Sequence, residues 1–268
     1  MPHPDSPFLA VPGQPFDLSD RPTAMDAFES RSEAKAVARS CGEDIAELAH
    51  KLYALSEPKL LIVLQGIDTA GKNGTTKALF RQTPPLNVRV APFKAPTKPE
   101  LAHDFLWRVH KVVPGQGEIA VFNRSHYEDV LVVKVREIAD AETVEQRYGQ
   151  INDFERLLAE TGTTILKFML HISRDVQGER LRARLEDPGK RWKFNPGDLD
   201  DRALWDDYMD AYETMVRRTS TEHAPWYVIP SDDKKTRNAL IAQIVHQALE
   251  DMDLHYPDPG YRPDDYDI

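Results

Sequence analysis

The chain has 268 residues, a single cysteine and a net charge of −10 from 34 basic and 44 acidic side chains. Cys41 alone permits neither an intrachain disulfide nor a thiolate metal cage, and the acidic balance argues against general adhesion to nucleic acid or to an anionic membrane. Hydrophobic residues at 41% and charged residues at 29% suit one large globular domain, and no apolar run nears the roughly 20 residues of a membrane span.

The segment MPHPDSPFLAVPGQP lacks the basic n-region and apolar h-region of a signal peptide, so a cytoplasmic location is expected. Residues 1–22 are rich in proline and aspartate, have no period, and read as an extended arm. Residues 24–55 predict a helix, with Ala36, Ile45, Ala49 and Leu52 among apolar positions at mixed three- and four-residue spacing. After Pro58, KLLIVLQ (59–65) is a continuous apolar run, the pattern of a strand buried on both faces.

Similar runs follow at NVRVAPF (87–93), EIAVFN (118–123), TTILKFMLHI (163–172) and WYVIP (226–230). Helical stretches lie near 74–82, 98–111, 142–160, 174–186, 199–221 and 234–251. This alternation predicts an α/β fold with a parallel sheet covered on both faces. EDPGKRWKFNPGD (186–198) holds two Pro-Gly pairs and is expected to be a movable loop, with residues 256–268 as a surface tail.

The segment 60–80 runs from a buried strand through Gly66-Ile67-Asp68-Thr69-Ala70-Gly71-Lys72 into a helix. Backbone N–H groups in such a turn, with the helix N-terminus, form a concave anion site. Gly66 to Thr75, including Thr69, Ala70, Asn73 and Gly74, is therefore the expected phosphate-binding loop. Gly66 and Gly71 permit its dihedrals, and Lys72 reaches phosphoryl oxygens. The match to G-x-x-x-x-G-K-[ST] fails at Asn73, where a magnesium-binding hydroxyl is usual. Asp68 offers a harder ligand instead.

A second cluster, VFNRSHYEDV (121–130), ends a strand beside that loop, where open α/β sheets bind ligands. Arg124 suits bidentate phosphate binding, and a neighbouring carboxylate suits a metal ion or an accepting phosphate. The same residues also read as a polar turn, with Ser125 and Glu128 as an S-x-x-E capping box. His126 has no partner histidine at metal-ligand spacing.

Between Arg180 and Lys193, Arg180, Arg182, Arg184, Lys190, Arg191 and Lys193 outnumber Glu186 and Asp187, a local balance of +4. This stretch reads either as a lid closing over phosphates or as a solvated helical face. Residues 91–111 carry Lys94, Pro96, Thr97, Lys98 and Arg108. In a phosphotransferase they would hold an acceptor nucleotide; otherwise they form a strand-to-helix connection with Thr97 as N-cap.

GIDTAGKNGT, FKAPTKPELAHDFLWR, FNRSHYEDVLV and DPGKRWKFNPGDLDDRALWDDY, in this order, resemble the polyphosphate kinase family 2 over about residues 22–250. The resemblance implies a three-layer, thymidylate-kinase-like P-loop fold over 23–255, with a helical lid at about 180–205. It implies reversible, Mg²⁺- or Mn²⁺-assisted transfer of the terminal phosphoryl of inorganic polyphosphate to AMP and ADP, giving ADP and ATP. Lys72 and Arg124 would contact phosphates at the transfer site. Asp68 would be the loop acid tied to the metal, and Arg184, Lys190, Arg191 and Lys193 would belong to the lid.

Many members place Asp where this chain has Asn123; FNRSHYED looks like the class III branch, which accepts both AMP and ADP. Glu128 is then the replacement carboxylate expected beside Asp68 at the metal. A homo-oligomer, dimer or tetramer, is also expected by resemblance. The rival readings are an ATP-dependent nucleoside monophosphate kinase of thymidylate-kinase type and a non-catalytic P-loop nucleotide-binding protein.

Overall fold

A computed structural model describes residues 6–262 and 266. Of the arm and the tail, residues 1–5, 263–265 and 267–268 lie outside the described residues. The elements in chain order are β1 (Leu9–Ala10), α1 (Arg31–Leu55), β2 (Lys59–Gln65), α2 (Lys72–Leu79), β3 (Val88–Pro92), α3 (Lys98–Leu101), α4 (Trp107–His110) and β4 (Ile119–Asn123). Then come α5 (Val132–Val135), α6 (Ala141–Glu160), β5 (Thr163–His171), α7 (Arg174–Glu186), α8 (Gly197–Ala203), α9 (Trp205–Thr219), β6 (Trp226–Pro230) and α10 (Lys234–Glu250). Single 3₁₀ turns occur at Pro85–Asn87, His126–Asp129 and Arg191–Lys193.

The six strands form one sheet in the order β1-β6-β5-β2-β4-β3. β2 lies at its centre, parallel to β4 and β5, because Leu60, Leu61, Ile62, Val63 and Leu64 are all fully buried and need cover on both faces. On one side α1, α2 and α10 pack together; α5, α6 and α9 form a second packed group. This is the expected three-layer α/β arrangement.

The sheet is not wholly parallel. Leu9 and Ala10, within the segment expected to be an extended arm, pair antiparallel with Tyr227 and Trp226 at the sheet edge. Two paired residues are too few to show a period, and Val228 N–H donating to Phe8 O extends the contact by only one more bond.

Two expected helices are divided. In 98–111, the Asp104 carboxylate accepts the Leu106 N–H, a local bond that competes with the helical ladder and separates α3 from α4. In 199–221, Leu204 at φ −94°, ψ 30° separates α8 from α9. The first long helix begins at Arg31 rather than near 24, because Ser30 caps it by accepting the Glu33 N–H. The segment 186–198 is not loop throughout, since it contains a 3₁₀ turn and the start of α8.

Candidate active site

The loop between β2 and α2 has the conformation the glycines were expected to allow. Gly66 has φ +148°, and a Cβ there would stand 2.9 Å from Leu170 O, so β5 packs too closely for any side chain. Gly71 has φ +119° and is the N-cap of α2 with no side-chain cap. The first N–H groups of α2 are thus left for an anion. A Cβ on Gly71 would lie 1.9 Å from Arg237 Nη1.

Arg237 is one of two arginines that hold the carbonyls of the loop. Its Nη1 donates to Ala70 O at 2.9 Å. Arg180 Nη1 donates to Thr69 O at 2.9 Å and to Ala70 O at 3.2 Å, while its Nη2 holds Ser231 O and Asp232 O. The loop carbonyls of Thr69 and Ala70 are drawn toward guanidinium groups, while the Ala70 N–H donates to Ile67 O at 3.1 Å within the turn.

Lys72 is buried and donates to Gly66 O at 2.5 Å. Burial, then the Arg124 charge, pushes its ammonium down to about 8, with Asp68 and Glu128 opposing. Arg124 follows β4 at φ +60°, a left-handed conformation uncommon outside glycine, and its N–H continues the ladder to Leu64 O at 3.1 Å. Its Nη2 meets Asp68 Oδ1 at 2.5 Å and its Nη1 lies 3.6 Å from Glu128 Oε2. Burial works against the Asp68 carboxylate, but Lys72 and Arg124 outweigh it and hold Asp68 below the ordinary carboxylate range.

A cavity of about 490 Å³ opens over this loop. Lys72 lines it from the start of α2, Arg124 from the end of β4, and Arg180, Arg184, Lys190 and Lys193 from α7 and the segment that follows. Lys234 and Arg237 complete it from α10, and among the described residues Asp68 is the single acidic one in the lining. Of the expected loop residues, Thr69, Gly71, Asn73 and Gly74 face the cavity. Gly66 and Ala70 act through carbonyls held by Lys72, Arg180 and Arg237. Thr75 is buried with its hydroxyl toward Asn238.

Asn123 faces the cavity and donates from Nδ2 to Asn73 Oδ1. Arg191 is turned elsewhere, its Nε donating to Leu185 O at 3.0 Å.

Sequence reasoning paired Asp68 with Glu128, and in the structure Arg124 stands between them, ion-paired with both. Glu128 accepts a hydrogen bond from Gln65 Nε2 at 3.1 Å and is ion-paired with Arg124, not closing a capping box on Ser125. The carboxyl that hydrogen-bonds Asp68 is Asp198, in the first turn of α8 and only 6% exposed. Burial and the Asp68 charge push Asp198 up to about 6, with Arg184 opposing at 3.1 Å. Asp68 lines the cavity and the buried Asp198 lies beside it, and one or two such carboxylates are the acidic ligands Mg²⁺ takes alongside phosphate oxygens. Among the described residues no group of three or more His, Cys, Asp or Glu is placed to hold a metal without other ligands.

The segment expected to hold the acceptor contributes no residue to the lining of this cavity. Thr97 caps α3 in a full capping box with Glu100, and Lys94, Pro96 and Lys98 are exposed. Arg108 donates to Lys94 O at 2.8 Å and pairs with Asp129 at 3.5 Å. His126 is buried and bonded to Glu155 at 3.2 Å.

The polyphosphate kinase 2 family model matches residues 28–257. The chain belongs to the polyphosphate kinase 2 family. It is 50% identical over 244 residues to the AMP/ADP-polyphosphate phosphotransferase of Meiothermus ruber, covering 91% of this chain and 90% of that protein. It is 39% identical over 264 residues to the ADP-polyphosphate phosphotransferase of Rhodopseudomonas palustris, covering 94% and 91% of the two. The crystal structure of polyphosphate kinase 2 from Arthrobacter aurescens TC1 superposes with a TM-score of 0.91 at 44% identity, covering 94% of this chain and 92% of that one.

Within this family member, four residues of the site had escaped sequence reasoning as site residues: Arg180, Asp198, Lys234 and Arg237. Arg180 and Asp198 lie in the stretch already noted as basic and mobile, which was the available signal. Lys234 and Arg237 lie in the first turns of α10, where two adjacent lysines oppose the helix dipole.

Proposed function

We propose that this protein transfers the terminal phosphoryl group of inorganic polyphosphate to AMP and ADP, giving ADP and ATP. The observation that carries the proposal is the cavity over the Gly66–Thr75 loop, where eight cationic side chains meet one carboxylate. The name of the Meiothermus relative supports the same donor and both acceptors, and that of the Rhodopseudomonas relative supports the same donor with ADP.

In this reading the end of the polyphosphate chain lies on the loop N–H groups and the α2 N-terminus. Lys72 and Arg124 neutralise charge on the transferring phosphoryl group. The attacking oxygen belongs to the acceptor's own phosphate, already ionised near neutral pH, so orientation and electrostatics supply most of the acceleration. Arg184, Lys190 and Lys193 cover the donor and exclude water that would otherwise hydrolyse it. Asp68 and the neighbouring Asp198 would hold Mg²⁺, which would supply positive charge to offset that of the phosphates. Asn123 borders the acceptor side next to Arg124. The transfer between two phosphates is chemically near-symmetric, which supports reversibility.

Incubation with AMP, long-chain polyphosphate and Mg²⁺, followed by chromatography, tests this directly. ADP and then ATP should appear. A protein that binds AMP and polyphosphate without forming ADP would be a nucleotide-binding protein instead.

A further inference from the structure

β2 is apolar from Leu60 to Leu64 and ends on one polar side chain, Gln65, which is fully buried beside Met169 of β5. Its Nε2 donates to Glu128 Oε1 at 3.1 Å. A carboxylate only accepts hydrogen bonds, so the amide must turn its nitrogen toward Glu128. That leaves Gln65 Oε1 buried with no hydrogen-bond partner among the described residues. An orphaned acceptor in the middle of the sheet costs stability, and an apolar side chain would end the strand without that cost. Gln65 therefore works against the stability of the strand it belongs to.

What its hydrogen bond secures is a side chain of the site. Glu128 turns its second oxygen, Oε2, to Arg124 Nη1 at 3.6 Å, and Arg124 Nη2 holds Asp68 Oδ1 at 2.5 Å. The Arg124 backbone N–H donates to the carbonyl of Leu64, the residue before Gln65. The end of β2 thus grips Arg124 twice, once through the main chain and once through Glu128. The Arg124 side chain is 36% exposed, so its direction rests more on these ion pairs than on close packing. Lys72 from the start of α2 and Tyr212 from α9 also lie within electrostatic reach of Glu128, and Asp68 stands beyond Arg124.

We propose that Gln65 is a positioning residue, which holds Glu128 so that the Arg124 guanidinium stays aimed at the transferring phosphoryl group. This rests on the phosphoryl-transfer reading of the site. It gives the buried amide a role in kcat that its place in the strand does not explain.

Three variants test it, assayed with AMP as acceptor and polyphosphate as donor. Gln65→Met removes the donor and the orphaned acceptor together with little change of length. Its kcat should fall roughly tenfold, with KM for polyphosphate within about threefold and the urea midpoint equal to or above that of the wild type. Gln65→Glu sets two carboxyls against each other: at low pH one proton between them replaces the lost hydrogen bond, and as pH rises that proton leaves and the charges repel. The ratio of its kcat to that of the wild type should fall about tenfold from about pH 5.5 to about pH 8. Gln65→Glu/Glu128→Gln restores one amide and one carboxylate in exchanged places; it should remove this pH dependence and return kcat to within about threefold of the wild type. A Gln65→Met protein with wild-type kcat, a loss of kcat matched by a loss of stability, or a double variant no better than Gln65→Glu would overturn the positioning role while leaving the phosphoryl-transfer reading in place. A wild-type protein that forms no ADP from AMP and polyphosphate would overturn both.

Discussion

Asn123 donates a hydrogen bond from Nδ2 to Asn73 Oδ1, so two residues that depart from their motifs are in contact. Asn73 stands where a P-loop usually has a hydroxyl, and Asn123 where the sequence resemblance led to a carboxylate being expected. Together they form a neutral amide pair at the rim of the phosphate cavity. In the proposed mechanism a cation there would be held by Asp68, which lines the cavity, and by the neighbouring Asp198. Asp198→Asn should therefore raise the Mg²⁺ concentration for half-maximal activity by about tenfold or more. Glu128→Gln and Asn123→Ala should each shift it by less than about threefold. Mg²⁺ titrations of the three variants decide it: a larger shift in Glu128→Gln than in Asp198→Asn would move the metal to the other side of Arg124.

Gly71 and Arg237 are matched in shape. An alanine at 71 would bring its Cβ to 1.9 Å from a guanidinium that is itself 2% exposed, and would have to hold φ +119°. Gly71→Ala should destabilise the fold by about 2 kcal/mol or more and lower turnover strongly, because the loop carbonyl of Ala70 loses its donor. Urea unfolding and initial rates measure both effects; a Gly71→Ala protein with normal stability and activity would contradict the bracing role of Arg237.

Lys72 sets an alkaline limb. Burial and Arg124 lower its ammonium to about 8 from the ordinary lysine value of 10.5, so the folded protein loses this charge as pH rises through about 8. kcat/KM, which reports the free enzyme, should fall above pH 8, about tenfold per unit once the proton is lost. Bound phosphate favours the charged lysine, so the limb in kcat should lie at higher pH. The sign for stability is opposite: the unfolded chain binds more protons between the two values, so Lys72 adds stability as pH rises through this window. Lys72→Arg stays charged throughout, and a limb near 8 that survives in this variant would assign it to another group.

Beneath the site, Lys167 Nζ lies 2.6 Å from Glu155 Oε2, with neither side chain exposed. The same ammonium donates to Tyr127 OH at 2.7 Å and Thr219 O at 2.7 Å, and Glu155 also accepts from Tyr127 OH and pairs with His126. His126 and Tyr127 belong to the turn immediately after Arg124, so this network anchors the segment that carries it. Lys167→Met should cost roughly 3–5 kcal/mol, since it strands a buried carboxylate. Glu155→Leu/Lys167→Met should recover most of that loss, because the desolvation penalty goes with both charges. Denaturant unfolding of single and double variants checks this, and a double variant no more stable than Lys167→Met would contradict it.

The sheet was legible where a strand is buried on both faces: the runs at 59–65 and 226–230 coincide with β2 and β6 because hydrophobicity alone dictates them. α7 likewise spans the anticipated 174–186. β1 was not legible, since pairing of Leu9 and Ala10 depends on β6 presenting an open edge rather than on local pattern. At the site, glycine spacing and a terminal lysine pointed to the loop because local backbone geometry requires them. Arg180 and Arg237 bond to carbonyls more than 100 residues away in the chain. Asp198 meets Asp68 only through the placement of α8, and nothing in composition separates inward-facing Arg184 from Arg191.

The donor is the central question, and it is most directly settled by measuring kcat/KM for AMP phosphorylation with polyphosphate and with ATP in parallel, at fixed Mg²⁺. Polyphosphate should sustain conversion of AMP to ADP and then to ATP in the absence of any added nucleoside triphosphate. ADP formation with ATP as donor and none with polyphosphate would make the protein an ATP-dependent nucleoside monophosphate kinase.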